Sequence, residues 1–116
     1  MGKTLTGQWS AYGRGGGYTG DAISYRIPLA SPPAANTAHY LTPGSTTTQC
    51  PGPGQAQSGH LCVYDYVSAS VSTGGIYGID GSTLTDDRGG KDGFQIYFST
   101  GGTSAAYAYG TWAVTG

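Results

Sequence analysis

Phe94-Gln95-Ile96-Tyr97-Phe98-Ser99 alternates large apolar side chains with polar or amphipathic ones at a period of two. On a pleated strand that period sends Phe94, Ile96 and Phe98 to one face and Gln95, Tyr97 and Ser99 to the other, which predicts a half-buried core strand. Gly101-Gly102 follows at once. A glycine pair between two alternating runs predicts a hairpin. The partner would be the last strand, with Ala106, Ala108, Gly110, Trp112 and Val114 on one face and Tyr107, Tyr109, Thr111 and Thr115 on the other.

The same period recurs upstream. Leu5, Gly7, Trp9 and Ala11 oppose Thr4, Thr6, Gln8 and Ser10, giving a first strand that stops at the side-chain-poor run Gly13 to Gly17, expected to be the most mobile loop. Ile23, Tyr25, Ile27 and Leu29 give a second, ending at a sheet edge where Pro28 removes a ladder donor. A short third strand surrounds Ala38 and Tyr40. From His60 to Val67 strand formers are nearly continuous, so both faces should be covered. Val71 and its neighbours predict a short strand before Gly74-Gly75; Ile76, Tyr77 and Ile79 predict another before a hydrophilic loop from Asp80 to Gly93.

The two ends of the chain echo each other, since Gly7-Gln8-Trp9 and Gly110-Thr111-Trp112 both place Trp two residues after Gly. This predicts adjacent first and last strands with both indoles in the core. About seven to nine short strands with frequent turns describe one all-β domain over residues 1–116, an antiparallel β-sandwich or jelly roll. Its predicted core is Trp9, Ile23, Ile27, Leu61, Val63, Phe94, Ile96, Phe98, Trp112 and Val114.

Composition agrees. The chain contains 22 Gly and 6 Pro but no Glu, a balance that disfavours long helices and places many turns between strands. A net charge of −1 with 9% charged residues provides no field to hold a phosphate backbone or an anionic membrane, so nucleic acid is excluded as a partner. No stretch approaches the roughly 20 apolar residues of a membrane-spanning helix. Met1-Gly2-Lys3 leads straight into strand-like sequence with no signal peptide, and the start therefore reads as a boundary within a longer secreted protein.

Cys50 and Cys62 bracket a loop rich in Gly, Pro and Gln, which reads as a disulfide; two separate buried thiols are the alternative. With only His39 and His60 beside them, the cysteines lack the spacing of a zinc motif. Asp80, Asp86, Asp87 and Asp92 offer hard oxygen ligands for Ca²⁺, yet Arg88 and Lys91 intervene and the spacing fits no calcium loop, so a solvated turn is the preferred reading. No cofactor is expected. His39 or His60 beside a Ser, with Asp65 or Asp21 to orient it, would be the only route to acid–base chemistry, and no Gly-Xaa-Ser-Xaa-Gly elbow accompanies them.

Gly2-Lys3-Thr4-Leu5-Thr6-Gly7-Gln8-Trp9, Cys50-Pro51-Gly52, Gly59-His60-Leu61-Cys62-Val63-Tyr64 and Gly110-Thr111-Trp112-Ala113-Val114-Thr115 follow one another along nearly the whole chain. In that order they resemble the C-terminal globular domains of actinobacterial collagen-like surface proteins. The resemblance implies a compact, exposed, non-catalytic β-head, presented after a collagen-type stalk and assembling as a homotrimer.

Ten tyrosines are the surplus that needs a purpose. Tyr12, Tyr64, Tyr66, Tyr97, Tyr107 and Tyr109 fall opposite the most apolar positions, and all but Tyr12 are singled out as interface or ligand residues. They would serve a secreted structural or adhesive head that self-associates or holds another surface protein. A carbohydrate-binding module, with Tyr107, Tyr109 and nearby Asp residues lining a shallow groove, is the second expectation, and a hydrolase the third.

Overall fold

A computed structural model describes residues 3–78, 88–102 and 105–116. Its strands are β1 (Thr4–Arg14), β2 (Tyr18–Ser24), β3 (Ala38–Leu41), β4 (Leu61–Ala69), β5 (Val71–Tyr77), β6 (Gly93–Thr100) and β7 (Ala105–Thr115). They form a four-stranded sheet in the order β1-β7-β4-β3 and a three-stranded sheet in the order β2-β6-β5. The first and last strands are adjacent over their whole length, from Thr4 opposite Thr115 to Arg14 opposite Ala105. No helix in the described residues is long and apolar enough to cross a membrane.

The inner faces of the two sheets meet through aromatic side chains. Trp9 stacks on Phe98 with ring centroids 5.5 Å apart, and Trp112 meets Phe94 edge-on at 5.7 Å, so each tryptophan of one sheet packs on a phenylalanine of the other. Leu61, Val63, Ile76, Ile96, Ala108 and Val114 fill the rest of that core, and Ile23 packs against its edge half-buried. The alternation read from β6 and β7 is therefore the alternation of burial.

The predicted hairpin at Gly101-Gly102 does not form. Both edges of β6 are taken by β2 and β5, and both edges of β7 by β1 and β4, so the glycine turn carries the chain from one sheet to the other. It is anchored there, with Gly101 N–H donating to the Ser70 carbonyl at 2.9 Å. The turn at residues 15–17 lies against it: Gly16 N–H reaches the Thr100 carbonyl and Gly17 N–H the Thr100 hydroxyl. A Cβ on Gly15 would sit 1.7 Å from the Gly102 carbonyl oxygen, which excludes a side chain at that position.

Three further expectations are corrected. The second strand ends at Ser24, and Ile27, assigned to the core, is 58% exposed. After Ser24 the chain leaves the ladder and is held by Tyr25 N–H to the Asp92 carbonyl and Leu29 N–H to the Lys91 carbonyl, which turns Tyr25 and Leu29 inward and Ile27 out. Gly74-Gly75 does not break the chain into two strands, because β5 runs through it with a register shift between Thr73 and Gly75. Tyr97 of the neighbouring strand covers the glycine: a Cβ on Gly74 would fall 1.9 Å from its ring. Finally, one pair departs from the antiparallel pattern, since β3 runs parallel to β4. The long connection from β3 to β4 is what makes a parallel pairing reachable.

Candidate binding face

The outer face of the four-stranded sheet divides into a covered half and a bare half. Covering one half is the loop closed by the Cys50–Cys62 disulfide, whose Cα atoms lie 5.7 Å apart. Leu41, Cys50, Cys62 and Tyr64 form a small second core beneath it, with Ala56 packed on top. Tyr64 belongs to this core and not to a surface, contrary to its assignment as an interface residue: it is only 5% exposed. Its hydroxyl donates to the Gln55 carbonyl at 2.8 Å and accepts from Gly52 N–H at 3.1 Å, which ties the loop to the sheet. Burial pushes the phenol of Tyr64 above its ordinary range, and the Gly52 N–H offsets part of that.

The bare half carries a chain of four tyrosine rings. Tyr12 stacks on Tyr107 at 6.1 Å, Tyr107 on Tyr109 at 6.5 Å, and Tyr109 meets Tyr66 at 6.2 Å. Register explains the row. Tyr12 lies directly opposite Tyr107 across β1 and β7, while a bulge in β4 pairs Asp65 with Gly110 and Val67 with Tyr109, leaving Tyr66 as the extra residue. The end rings stand out into solvent, Tyr12 at 71% and Tyr66 at 74% exposed.

Along this row runs a groove of about 890 Å³, lined by Tyr12, Tyr66 and Tyr109 together with Gln8, Ser10, Thr111 and Pro53 of the disulfide loop. Asp21 of β2 closes its outer side. One Asp21 oxygen accepts Ser10 N–H at 3.0 Å and the other Ala22 N–H at 2.9 Å, so the carboxylate caps backbone donors where β1 and β2 pass from one sheet to the other. The Thr19 hydroxyl adds a bond to the Tyr12 carbonyl on the same seam.

Of the remaining candidates, Asp65 lines the same groove and the others lie elsewhere. Tyr97 is on the outer face of the other sheet, between Tyr18 at 5.9 Å and Tyr77 at 5.5 Å. Asp65 is buried and accepts a hydrogen bond from the Tyr40 hydroxyl through Oδ2, while its Oδ1 has no partner. His39 Nε2 and His60 Nδ1 approach to 2.9 Å with stacked rings, so the two histidines engage each other. Asp80, Asp86, Asp87 and Ile79 lie outside the described residues. Asp92 is exposed in the turn before β6. Among the described residues no group of three or more His, Cys or Asp side chains could hold a metal ion.

A second, apolar cavity of about 260 Å³ opens between Leu29, Pro32, Pro33, Leu61 and Val114. Tyr25 lines it, and its buried hydroxyl has no partner. Burial raises the pKa of that phenol strongly. Alternation alone identified Tyr12, Tyr66, Tyr107 and Tyr109 as outward-facing. Gln8 and Pro53 carried no signal of a site, and Asp21 was singled out only as an orienting carboxylate, because only tertiary folding brings the three beside the rings.

No protein family, curated protein or solved structure matches the chain.

Proposed function

We propose that this chain is the adhesive, non-catalytic head of an extracellular surface protein, and that it works by presenting the bare outer half of its four-stranded sheet. The resemblance to the heads of actinobacterial collagen-like proteins and the disulfide both support an extracellular setting. The observation that carries the reading is the unbroken ring chain Tyr12-Tyr107-Tyr109-Tyr66, left in solvent at both ends. Rigid amphipathic rings give large contact area for little lost side-chain entropy, which is why tyrosine is enriched where proteins bind others.

The test is retention of the labelled domain on immobilised polysaccharides and extracellular matrix proteins. A Tyr12→Ser/Tyr66→Ser double variant removes only exposed rings, so it keeps the fold, and it should lose at least most of the retention seen for the unaltered domain. Equal retention of the two proteins, or no retention of either on any surface, refutes the reading.

Self-association is a second reading, favoured by the opposite face. There Tyr97 covers Gly74 and lies between Tyr18 and Tyr77, an aromatic patch suited to contact with a second copy. Light scattering distinguishes it: a trimer that Tyr97→Asp converts to monomer supports assembly through this face, and a monomer at all concentrations removes it.

A further inference from the structure

Building on the tyrosine face as the binding surface, we infer that the groove beside it takes a neutral polysaccharide chain. The chemistry of the lining selects that ligand. No Lys or Arg among the described residues lines the groove, so it has no cationic side chain for a phosphate, a sulfate or an acidic peptide. Its polar groups include the side chains of Gln8, Ser10 and Thr111, tyrosine hydroxyls and the carboxylates of Asp21 and Asp65, all of which exchange hydrogen bonds with hydroxyls. Asp21 uses one acceptor position of each oxygen on a backbone N–H, and a carboxylate has about four such positions, so it retains capacity to accept from ligand hydroxyls.

A sugar ring is the complementary object: apolar C–H faces above and below, hydroxyls around the rim. Tyr66 and Tyr109 present ring faces for the first, and the groove floor provides partners for the second. Neighbouring rings of the row lie 6.1 to 6.5 Å apart, and Tyr12, Tyr66 and Tyr109 line the groove, so one bound chain has more than one tyrosine within reach. An apolar protein partner would leave Gln8 and Asp21 desolvated without replacement, whereas a glycan satisfies them.

Affinity electrophoresis in gels containing hydroxyethylcellulose, xyloglucan, galactomannan or β-1,3-glucan tests this, with heparin as the anionic comparison. At least one neutral polymer should retard the domain and heparin should not. Tyr109→Ala and Asp21→Asn should each weaken that retardation on the order of tenfold, the scale of one stacked ring or one charge-assisted bond. Tyr66→Ala, which removes an exposed ring and so leaves the fold intact, should weaken it likewise, and Tyr77→Ala on the opposite face should change nothing. If no neutral polymer retards the domain, or if the groove variants migrate as the unaltered protein does, the inference falls. Should the Tyr12→Ser/Tyr66→Ser variant still lose retention on protein surfaces in that case, the adhesive reading stands and only its ligand class is wrong.

Discussion

Gly7 lies directly opposite Trp112 in the β1–β7 ladder, and a Cβ on Gly7 would come within 2.7 Å of the indole. Two residues along, Trp9 lies opposite Gly110 in the mirror arrangement. The repeated Gly-Xaa-Trp thus pairs with itself across the ladder, but its two glycines make room for different groups: Gly7 for the Trp112 indole and Gly110 for the Tyr64 carbonyl. Trp9 crosses β7 above Gly110, and its Nε1–H bridges the Thr111 carbonyl at 3.1 Å and the Tyr64 carbonyl at 3.2 Å.

Side chains at the two glycines should therefore fail for different reasons. A Cβ on Gly110 meets the Tyr64 backbone oxygen at 1.8 Å, which cannot move without opening the β4–β7 ladder. Gly110→Ala should cost about 3 kcal/mol or more in urea unfolding, whereas Gly7→Ala, meeting only a side chain, should cost about 1 to 3 kcal/mol. Equal, small losses would contradict this packing.

Removing the disulfide should loosen the second core more than the first. Cys50→Ala/Cys62→Ala closes no loop in the unfolded chain, and a loss of about 2 to 4 kcal/mol is expected. Because Tyr64 is bonded to Gln55 and Gly52 of that loop, its ring should become open to nitration by tetranitromethane in the variant while the Trp9 fluorescence stays native.

Alkaline pH should unfold the protein through Tyr25. Burial raises its phenol above the ordinary value of 10.0, so the folded state holds its proton after the unfolded state has released it. The stabilisation is complete below about pH 10 and is lost as pH rises above it. Tyr64, shifted in the same direction, adds to the loss. Tyr25→Phe removes a buried hydroxyl without a partner, so thermal unfolding at pH 7 should change little and the fall between pH 10 and 11 should shrink.

Ile27 and Ile96 separate reading from structure. Both occupy apolar positions of alternating runs, yet Ile96 is 1% exposed and Ile27 58%. Ile96→Ala should cost about 2 to 5 kcal/mol and Ile27→Ala no more than about 0.5 kcal/mol in chemical denaturation.

Period-two alternation made β1, β4, β6, β7 and both buried tryptophans legible from residues alone, the Gly-Xaa-Trp echo made the adjacency of the first and last strands legible, and the loop bracketed by the cysteines made the disulfide legible. These rest on interactions a residue has wherever its strand goes: which side faces the core, and which residues flank a turn. Sheet membership was different. Gly101-Gly102 has the composition of a hairpin, and only competition for the edges of β6 and β7 turned it into a crossover between sheets. Tyr64 and Tyr66 have the same parity in the sequence, and only the loop that closes over one and the bulge that ejects the other made the first a core residue and the second an exposed ring. Pairing partners and cover come from segments distant along the chain, so local pattern carries no record of them.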